Sequence, residues 1–250
     1  TGMRYPGRLE ADQQQDNGVT TQNLTYTPPR LQRISQDIIG IKLEPVVALS
    51  SSRTVGNEVL SILSSHQHSE HYFRDQSADQ AMMLLEAQLA TLKNALPCNN
   101  LFINLPITVL TMQATFQRLL QLQSPPLNIE IVDPAGFFLL SEALRARVTC
   151  RLQELTMQGH RIWLDDVNEA LVTSFLSCHL PLTGVKIDKI AFWRLRSTPA
   201  LSQLVSLCSK IAENVLIEGI ETDRDHACAL QAGAGLGQGY YWPSWTWPEE

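Results

Sequence analysis

The chain has 250 residues, of which 44% are hydrophobic and 18% charged, and its formal net charge at pH 7 is -6. This acidic balance gives no electrostatic attraction for nucleic acid or anionic membrane, and no apolar run reaches the roughly 18 residues that a transmembrane helix needs. The five cysteines lack the CxxC spacing of a metal or redox site. We therefore predict a cytoplasmic globular protein with free thiols that binds neither nucleic acid nor membrane through this domain.

The first 30 residues differ from the rest of the chain. They are rich in Gln, Asn, Thr and Pro and show no periodic apolar pattern, which is typical of a linker that cannot bury a core. We predict a disordered linker or a cloning remnant over residues 1–30 and one domain over residues 31–250. A linker at this place also predicts an upstream regulatory domain in a longer protein.

From residue 31 onward, short apolar runs alternate with amphipathic segments of helical length. The first two runs lie close enough for a hairpin, whereas helices separate the later ones, as parallel strands require. The pattern predicts an α/β fold, a (β/α)8 TIM-like barrel with one antiparallel strand. Strands are predicted at residues 43–49, 54–63, 101–105, 127–133, 161–166, 184–188 and 215–221, and helices at 79–96, 111–122, 141–158, 170–178, 199–213 and 224–232.

Acidic residues end the apolar runs from the fourth predicted strand onward. In a (β/α) barrel the carboxyl ends of all parallel strands open onto one face, so these side chains are expected to meet there. Carboxylates crowded together repel one another, and a divalent metal ion would hold them. The residues concerned are Glu130, Asp133, Asp165, Asp166, Asp188, Glu218 and Glu221.

Seven short motifs follow one another along the same region. They are Glu58-Val59-Leu60, Asn104 in FINLP, Glu130-Ile131-Val132-Asp133, Asp165-Asp166-Val167-Asn168, Lys186-Ile187-Asp188, Glu218-Gly219-Ile220-Glu221-Thr222 and Gln238-Gly239-Tyr240. In order and spacing they resemble the EAL, Asn, ExTE, DDFG, KID, EGVET and QGY motifs of the EAL-domain family, the bacterial cyclic-di-GMP phosphodiesterases. The resemblance covers about residues 31–245.

The resemblance implies metal-dependent hydrolysis of cyclic di-GMP to linear pGpG, with two Mg²⁺ or Mn²⁺ ions in a site of oxygen ligands. It also implies a possible homodimer and, among family members, a helix-turn-helix domain upstream. Roles carry over residue by residue from the motifs. The implied metal ligands are Glu58, Asn104, Glu130, Asp165, Asp166 and Glu218; the catalytic residues Glu58, Lys186, Glu218 and Gln238; the substrate-binding residues Glu44, Pro45, Leu60, Asn104, Asp188 and Gln238; and the loop braces Asp133 and Glu221.

The chain departs from the family pattern around the substrate and the loop. Ile62 stands where the family has an arginine that grips a phosphate, and Glu44 replaces a glutamine. The family's DFGTG loop reads DVNEA at residues 166–170 and lacks both glycines, and Asp133 shortens a brace. These changes favour an alternative function: a catalytically silent EAL module that binds cyclic di-GMP or a protein partner as a regulator.

Two weaker patterns point elsewhere. His66, His68 and His71 lie in a polar stretch without a second ligand group, which predicts an exposed loop rather than a metal site. Three tryptophans near residue 245 predict either packing over the barrel end or an apolar patch for a partner.

Overall fold

The computed structural model describes residues 38–64, 76–95 and 100–247, and of residues 94 and 95 only the backbone. The linker predicted for residues 1–30 and the loop predicted around His66, His68 and His71 lie outside these described residues.

Strands β1 to β8 close into a barrel. The hydrogen-bonded order is β2-β3-β4-β5-β6-β7-β8-β1-β9, and β1 also pairs with β2, which joins the two edges. Strand β1 is antiparallel to its neighbours, and pairs from β2–β3 to β7–β8 are parallel. The predicted barrel with one antiparallel strand is confirmed; the ninth strand is additional. The strands are β1 Ile38–Ala48, β2 Arg53–Leu63, β3 Leu101–Pro106, β4 Asn128–Val132, β5 Arg161–Val167, β6 Gly184–Ile187, β7 Asn214–Ile217, β8 Leu236–Gly237 and β9 Trp245–Trp247.

The predicted hairpin is formed by β1 and β2. Its register places Lys42 opposite Leu60 and Glu44 opposite Glu58. Because directly opposed residues of an antiparallel pair point to the same face of the sheet, these four side chains belong to one face. Strand β1 begins at Ile38, earlier than the predicted residue 43.

The two strands that the sequence analysis did not predict, β8 and β9, both pair with β1. Strand β8 pairs with β1 at Val47 and Ala48, and β9 pairs with it from Ile41 to Leu43. Trp245 of β9 is buried, and its ring stacks on that of Trp247 at a centroid distance of 6.1 Å. Of the two interpretations of the C-terminal tryptophans, the structure therefore favours packing.

Helices cover the outside of the barrel. Two of the predicted helices need correction: the one expected at residues 111–122 is divided at Met112, whose backbone is extended, and the one expected at 199–213 ends at Cys208. A 3-10 helix at Pro134–Leu139 and the helix α6 were not predicted. The α-helices are α1 Ala78–Ala95, α2 Thr108–Thr111, α3 Gln113–Leu120, α4 Glu142–Met157, α5 Glu169–Phe175, α6 Lys189–Leu195, α7 Pro199–Cys208 and α8 Asp223–Gln231.

The barrel interior begins with an apolar layer from the odd-numbered strands. Val46, Phe102, Trp163 and Leu216 form a buried cluster of their own. Alternate strands fill a (β/α)8 barrel layer by layer, so the even-numbered strands supply the next layer, which is polar. The larger core lies between the outer face of the strands and the helices.

No helix within residues 78–95 or 100–247 combines the length and the apolar character needed to cross a bilayer.

Candidate active site

Lys186 on β6 lies at the centre of the polar layer. Its Nζ atom is 2.7 Å from Oε1 of Glu58 on β2 and 2.6 Å from Oε1 of Glu130 on β4. It also donates a 2.6 Å hydrogen bond to Oε1 of Gln238, which directly follows β8. All four side chains are buried, and Lys186 and Glu130 are 0% exposed. One residue from each even-numbered strand thus meets at a single ammonium group.

Glu58 is fixed by three donors. Besides Lys186, Asn104 on β3 donates a 3.0 Å hydrogen bond to Oε2, and Gln238 donates a 3.2 Å hydrogen bond to Oε1. Burial alone would raise the pKa of Glu58, but the charge of Lys186 and these hydrogen bonds outweigh it and lower the pKa below its ordinary value of 4.5. Glu58 is therefore ionised at neutral pH, and Oδ1 of Asn104 remains available as a ligand oxygen.

Glu130 is less well satisfied. Its Oε1 lies at ion-pair distance from Lys186 without the alignment of a hydrogen bond, and its Oε2 has no hydrogen-bond partner among the described residues. Burial and the nearby charge of Glu58 raise the pKa of Glu130 well above its ordinary value, despite the attraction of Lys186. A buried carboxylate oxygen without a donor is costly unless a cation contacts it.

The charge of Lys186 is strongly stabilised. Burial by itself would lower the pKa of the ammonium, but the carboxylates of Glu130, Glu58, Asp165 and Glu218 together raise it well above 10.5. Lys186 therefore stays protonated across the physiological range and carries a fixed positive charge at the bottom of the site.

A second group of carboxylates lies on β5 and after β7. Oxygen atoms of Asp165, Asp166 and Glu218 all lie within 4.8 Å of one another. Burial is the main cause that raises the pKa of Asp165 to about 7, and the charge of Asp166 adds to it. Burial and the charges of both aspartates raise the pKa of Glu218 well above its ordinary value. Three carboxylates so close together could hold a cation between them.

A β-bulge explains how two consecutive aspartates face one site. Leu164 pairs with Val185, but the next pair joins Val167 to Ile187, so β5 contains one extra residue at this point. Asp166 adopts a left-handed backbone with φ 46°. In a regular strand Asp165 and Asp166 would point to opposite faces, and a bulge re-aims one of the two side chains.

A cavity of about 380 Å³ opens above these groups. Glu58, Asn104, Asp165 and Asp166 form its polar wall, whereas Val59, Leu60 and the helix α1 residues Ala81, Leu84 and Leu85 form an apolar wall. The site can therefore accept a ligand that has both an anionic group and a flat apolar part.

Residues 30–244 match the family described as EAL domain.

The chain belongs to the EAL domain family.

Similar proteins agree with this assignment. The cyclic di-GMP phosphodiesterase RocR of Pseudomonas aeruginosa is 23% identical over 93 residues, which cover 36% of this chain and only 24% of RocR. A calcium/cyclic-di-GMP complex of Klebsiella pneumoniae BlrP1 superposes with a TM-score of 0.65 at 18% identity, over 83% of this chain and 58% of that protein. A cyclic-di-GMP-bound standalone EAL protein of Vibrio cholerae gives a TM-score of 0.62 at 18% identity, over 83% of this chain and 92% of its own. At these identities the superpositions support the fold.

Only some of the residues predicted to contact substrate line the cavity of this EAL domain. Leu60 and Asn104 line the cavity, whereas Pro45 and Gln238 are buried and do not line it. Glu44 forms a 3.1 Å ion pair with Lys42. Asp188 is half-buried at the start of α6. The substrate-binding roles of these residues stay predictions.

Residues 166–170, which replace the family's glycine-containing loop, are part of regular structure. Val167 ends β5 and is fully buried, and Asn168 caps α5 by accepting a 3.0 Å hydrogen bond from the backbone N–H of Leu171. Glu169 forms a 3.0 Å ion pair with Arg194 of α6. The segment without glycines is thus held by a cap and an ion pair.

The two predicted loop braces, Asp133 and Glu221, lie at the same end of the barrel as residues 166–170, beyond the carboxyl ends of the parallel strands. Asp133 lines the cavity with a left-handed backbone, φ 46°. Glu221 is exposed, and its backbone N–H donates a 3.1 Å hydrogen bond to Oδ2 of Asp225. Within the described part of the chain, neither side chain bonds to residues 166–170, and their role as braces stays a prediction.

Sequence reasoning missed two features of the site. One is Lys42, which lines the cavity wall. The other is Gln88 of α1, which is buried and donates a 2.8 Å hydrogen bond to Oγ of Ser61 at the edge of the cavity. Gln88 could have been found from the sequence, because it is a polar residue on the apolar face of α1, where Ala81, Leu84 and Leu85 precede it at helical spacing.

The residues present fit a divalent cation. All of the candidate ligand atoms are hard oxygens, as Mg²⁺ and Mn²⁺ prefer. The Oε2 of Glu130 has no hydrogen-bond partner among the described residues, and the pKa values of Asp165 and Glu218 are raised. A cation bound among these carboxylates would contact the free oxygen and lower the pKa values.

Proposed function

We propose that this EAL domain hydrolyses cyclic di-GMP to linear pGpG with divalent metal. One observation carries the proposal: oxygen ligands from β2, β3 and β5 line a single cavity, and Glu130, which shares Lys186 with Glu58, has a buried Oε2 without a hydrogen-bond partner among the described residues. The residues that would hold Mg²⁺ or Mn²⁺, two ions by the resemblance, are Glu58, Asn104, Glu130, Asp165, Asp166 and Glu218. When bound, such ions act as Lewis acids and make water a better nucleophile.

The remaining residues of the layer orient and charge the site. Lys186 keeps Glu58 ionised and provides a fixed positive charge that favours an anionic phosphodiester and the extra charge of its transition state. Gln238 holds both Lys186 and Glu58 through its amide, so it keeps these two groups in register. We assign both residues to positioning and charge stabilisation at the reacting phosphate.

The cavity suits a cyclic dinucleotide in its chemistry. Its volume of about 380 Å³ is in the range of small-molecule sites. The carboxylates of β2 and β5 with their metal ions would face a phosphate, and the apolar wall of Leu60, Leu84 and Leu85 would face a base. RocR, which carries the name of a cyclic di-GMP phosphodiesterase, supports the same substrate class.

A second function is favoured by the departures from the family pattern. Ile62 offers no charge to a phosphate, and the capped segment at residues 166–170 has little freedom to move. A silent EAL module that binds cyclic di-GMP, or a protein, without cleaving it would tolerate both changes.

One incubation separates the two functions. The protein is mixed with cyclic di-GMP and Mn²⁺ or Mg²⁺, and products are separated by chromatography. We expect linear pGpG from the wild type and none from Glu58→Gln, whereas Glu213→Gln, an exposed glutamate before β7, serves as the matched control and keeps full activity. An intact nucleotide after hours would contradict hydrolysis. A calorimetric titration with Ca²⁺ present would then decide between a nucleotide sensor and a protein-binding module.

Other properties of the chain stay predictions. A homodimer, an upstream regulatory domain such as a helix-turn-helix domain, and a cytoplasmic location were inferred from the resemblance and the composition. The elution volume of the purified protein at tens of micromolar would test the dimer, and a monomer would contradict it.

A further inference from the structure

Lys42 lies on the wall of the cavity that faces the β5 aspartates. It is opposite Leu60 in the β1–β2 register, and both residues line the cavity. In a closed barrel of eight strands, β1 and β5 are diametrically opposed, with three strands between them on either side. Lys42 and the Asp165–Asp166 pair therefore face each other across the opening of the barrel.

Lys42 is the one basic residue among the described residues that line the cavity. The acidic residues of the lining are Glu58, on the neighbouring strand β2, and Asp133, Asp165 and Asp166. The next opposed pair toward the rim joins Gly40 to Ile62, and neither residue carries a charge. An anionic ligand that enters between these walls has the Asp165–Asp166 pair on one side and the ammonium group of Lys42 on the other.

Glu44 holds Lys42 in place. The two residues are separated by one position on β1, so their side chains emerge on the same face, and the Nζ to Oε1 distance is 3.1 Å. The side chains are 31% and 29% exposed. An ion pair this accessible contributes little to folding, so stability does not explain why a lysine stands at the cavity wall.

We propose that Lys42 is the cation that contacts a non-bridging phosphate oxygen of the ligand, on the wall opposite Asp165 and Asp166. Glu44 keeps the lysine extended along β1 until the ligand enters, and the ammonium group then shares its hydrogen bonds between Glu44 and the phosphate. Such a contact acts on ligand binding more than on the chemical step, because Lys42 is not among the residues that would hold the metal ions. This inference rests on the proposed function, since it deepens the same site.

The test compares three variants by steady-state kinetics with cyclic di-GMP and Mn²⁺. For Lys42→Met we expect KM to rise by about tenfold, with kcat changed by less than about twofold, as the loss of one partly exposed charge-assisted contact implies. Lys42→Arg should restore KM to within about threefold. Lys210→Met, an exposed lysine before the amino end of β7, removes the same charge at the far end of the barrel and should leave KM unchanged. The KM difference between wild type and Lys42→Met should shrink as salt rises from 50 mM to 500 mM.

The outcomes are distinguishable from failure of the proposed function. If the wild type cleaves cyclic di-GMP and Lys42→Met has the wild-type KM, the inference is overturned and the function stands. If the wild type does not cleave, the Kd for cyclic di-GMP with Ca²⁺ replaces KM: a tenfold weaker Kd for Lys42→Met supports the contact although hydrolysis has failed. If the wild type neither cleaves nor binds cyclic di-GMP, and bis(4-nitrophenyl) phosphate is not cleaved either, both proposals are overturned.

Discussion

Lys186 and Glu58 form a buried ion pair, with 2.7 Å between Nζ and Oε1 and side-chain exposures of 0% and 10%. Because Glu130 contacts the same ammonium group at 2.6 Å, one cation serves two carboxyl groups at the centre of the barrel. Removing one partner of a buried pair leaves an uncompensated charge and is strongly destabilising.

Lys186→Met should therefore destabilise the protein and abolish turnover. We expect a loss of about 3 kcal/mol in the free energy of unfolding in EDTA, because Glu58 and Glu130 remain buried without their cation. Mn²⁺ should recover part of this loss by binding the same carboxylates. Urea denaturation in EDTA and in Mn²⁺ measures both effects. Lys210→Met is the control, and equal stability of the two variants in EDTA would contradict the prediction.

Stability of the metal-free protein should fall as pH rises from about 5 to 8. The pKa of Asp165 is raised from 3.8 to about 7, so over this range the folded state holds a proton that the unfolded state has already released. Stability gained by such a group is present at low pH and lost as pH passes its folded pKa. Glu130 and Glu218 act in the same direction. Glu58, whose pKa is lowered from 4.5, has the opposite effect, but only below that pH.

The midpoint temperature of unfolding in EDTA, recorded at half-unit pH steps, measures this slope. With saturating Mn²⁺ we expect the slope to flatten or reverse, since metal binding to the carboxylates competes with their protons. A metal-free stability that increases steadily between pH 5 and 8 would contradict the pKa shift of Asp165.

Replacing Asp166 should weaken metal binding without lowering the stability of the metal-free protein. Asp166→Asn removes one charge from the cluster with Asp165 and Glu218 while its side chain still tolerates the left-handed backbone. We expect unchanged or slightly higher stability in EDTA but at least about tenfold weaker Mn²⁺ binding. Asp166→Ala should lose about 1 kcal/mol relative to Asp166→Asn, because alanine is strained at φ 46°. Equal Mn²⁺ affinity in wild type and Asp166→Asn would exclude Asp166 as a ligand.

Gly184 should not tolerate a side chain. A Cβ atom at this position would lie 2.3 Å from the ring of Trp163, which is fixed in the apolar layer below the site. We expect Gly184→Ala to cost about 2 to 3 kcal/mol through overpacking and to lower activity, because Lys186 follows on the same strand. Gly235→Ala is the matched control: nothing lies within 4 Å of its added Cβ, so chemical denaturation should show a change below about 0.5 kcal/mol. A tolerated Gly184→Ala would show that the Trp163 ring can move.

The sequence predicted the barrel because its parallel strands are continuous apolar runs with helices between them. The β1–β2 hairpin, the strands that carry Asn104, Glu130 and Lys186, and the strand that ends just before Glu218 were all predicted from such runs. The acidic ends of the runs also predicted that the carboxylates meet at one face, and Asp165, Asp166 and Glu218 do so.

Other features depend on contacts that a single sequence does not encode. Strands β8 and β9 are two and three residues long and are defined by their pairing, β8 with β7 and β1, and β9 with β1. The local sequence does not indicate that the predicted helix is interrupted at Met112, because Met is a good helix former. Lys42 precedes the predicted strand at residues 43–49, and its place at the cavity follows from strand register and barrel closure alone.

The position of β1 has a consequence for how this domain folds during synthesis. Strand β1 can pair with β2 as soon as the hairpin has been made, but its other edge waits for β8 and β9 at the opposite end of the domain. Until the ribosome has released Trp247, that edge exposes unpaired backbone groups of a largely apolar strand. Barrel closure is thus a late, long-range step, and nascent chains stalled before residue 236 should be prone to aggregation and chaperone binding.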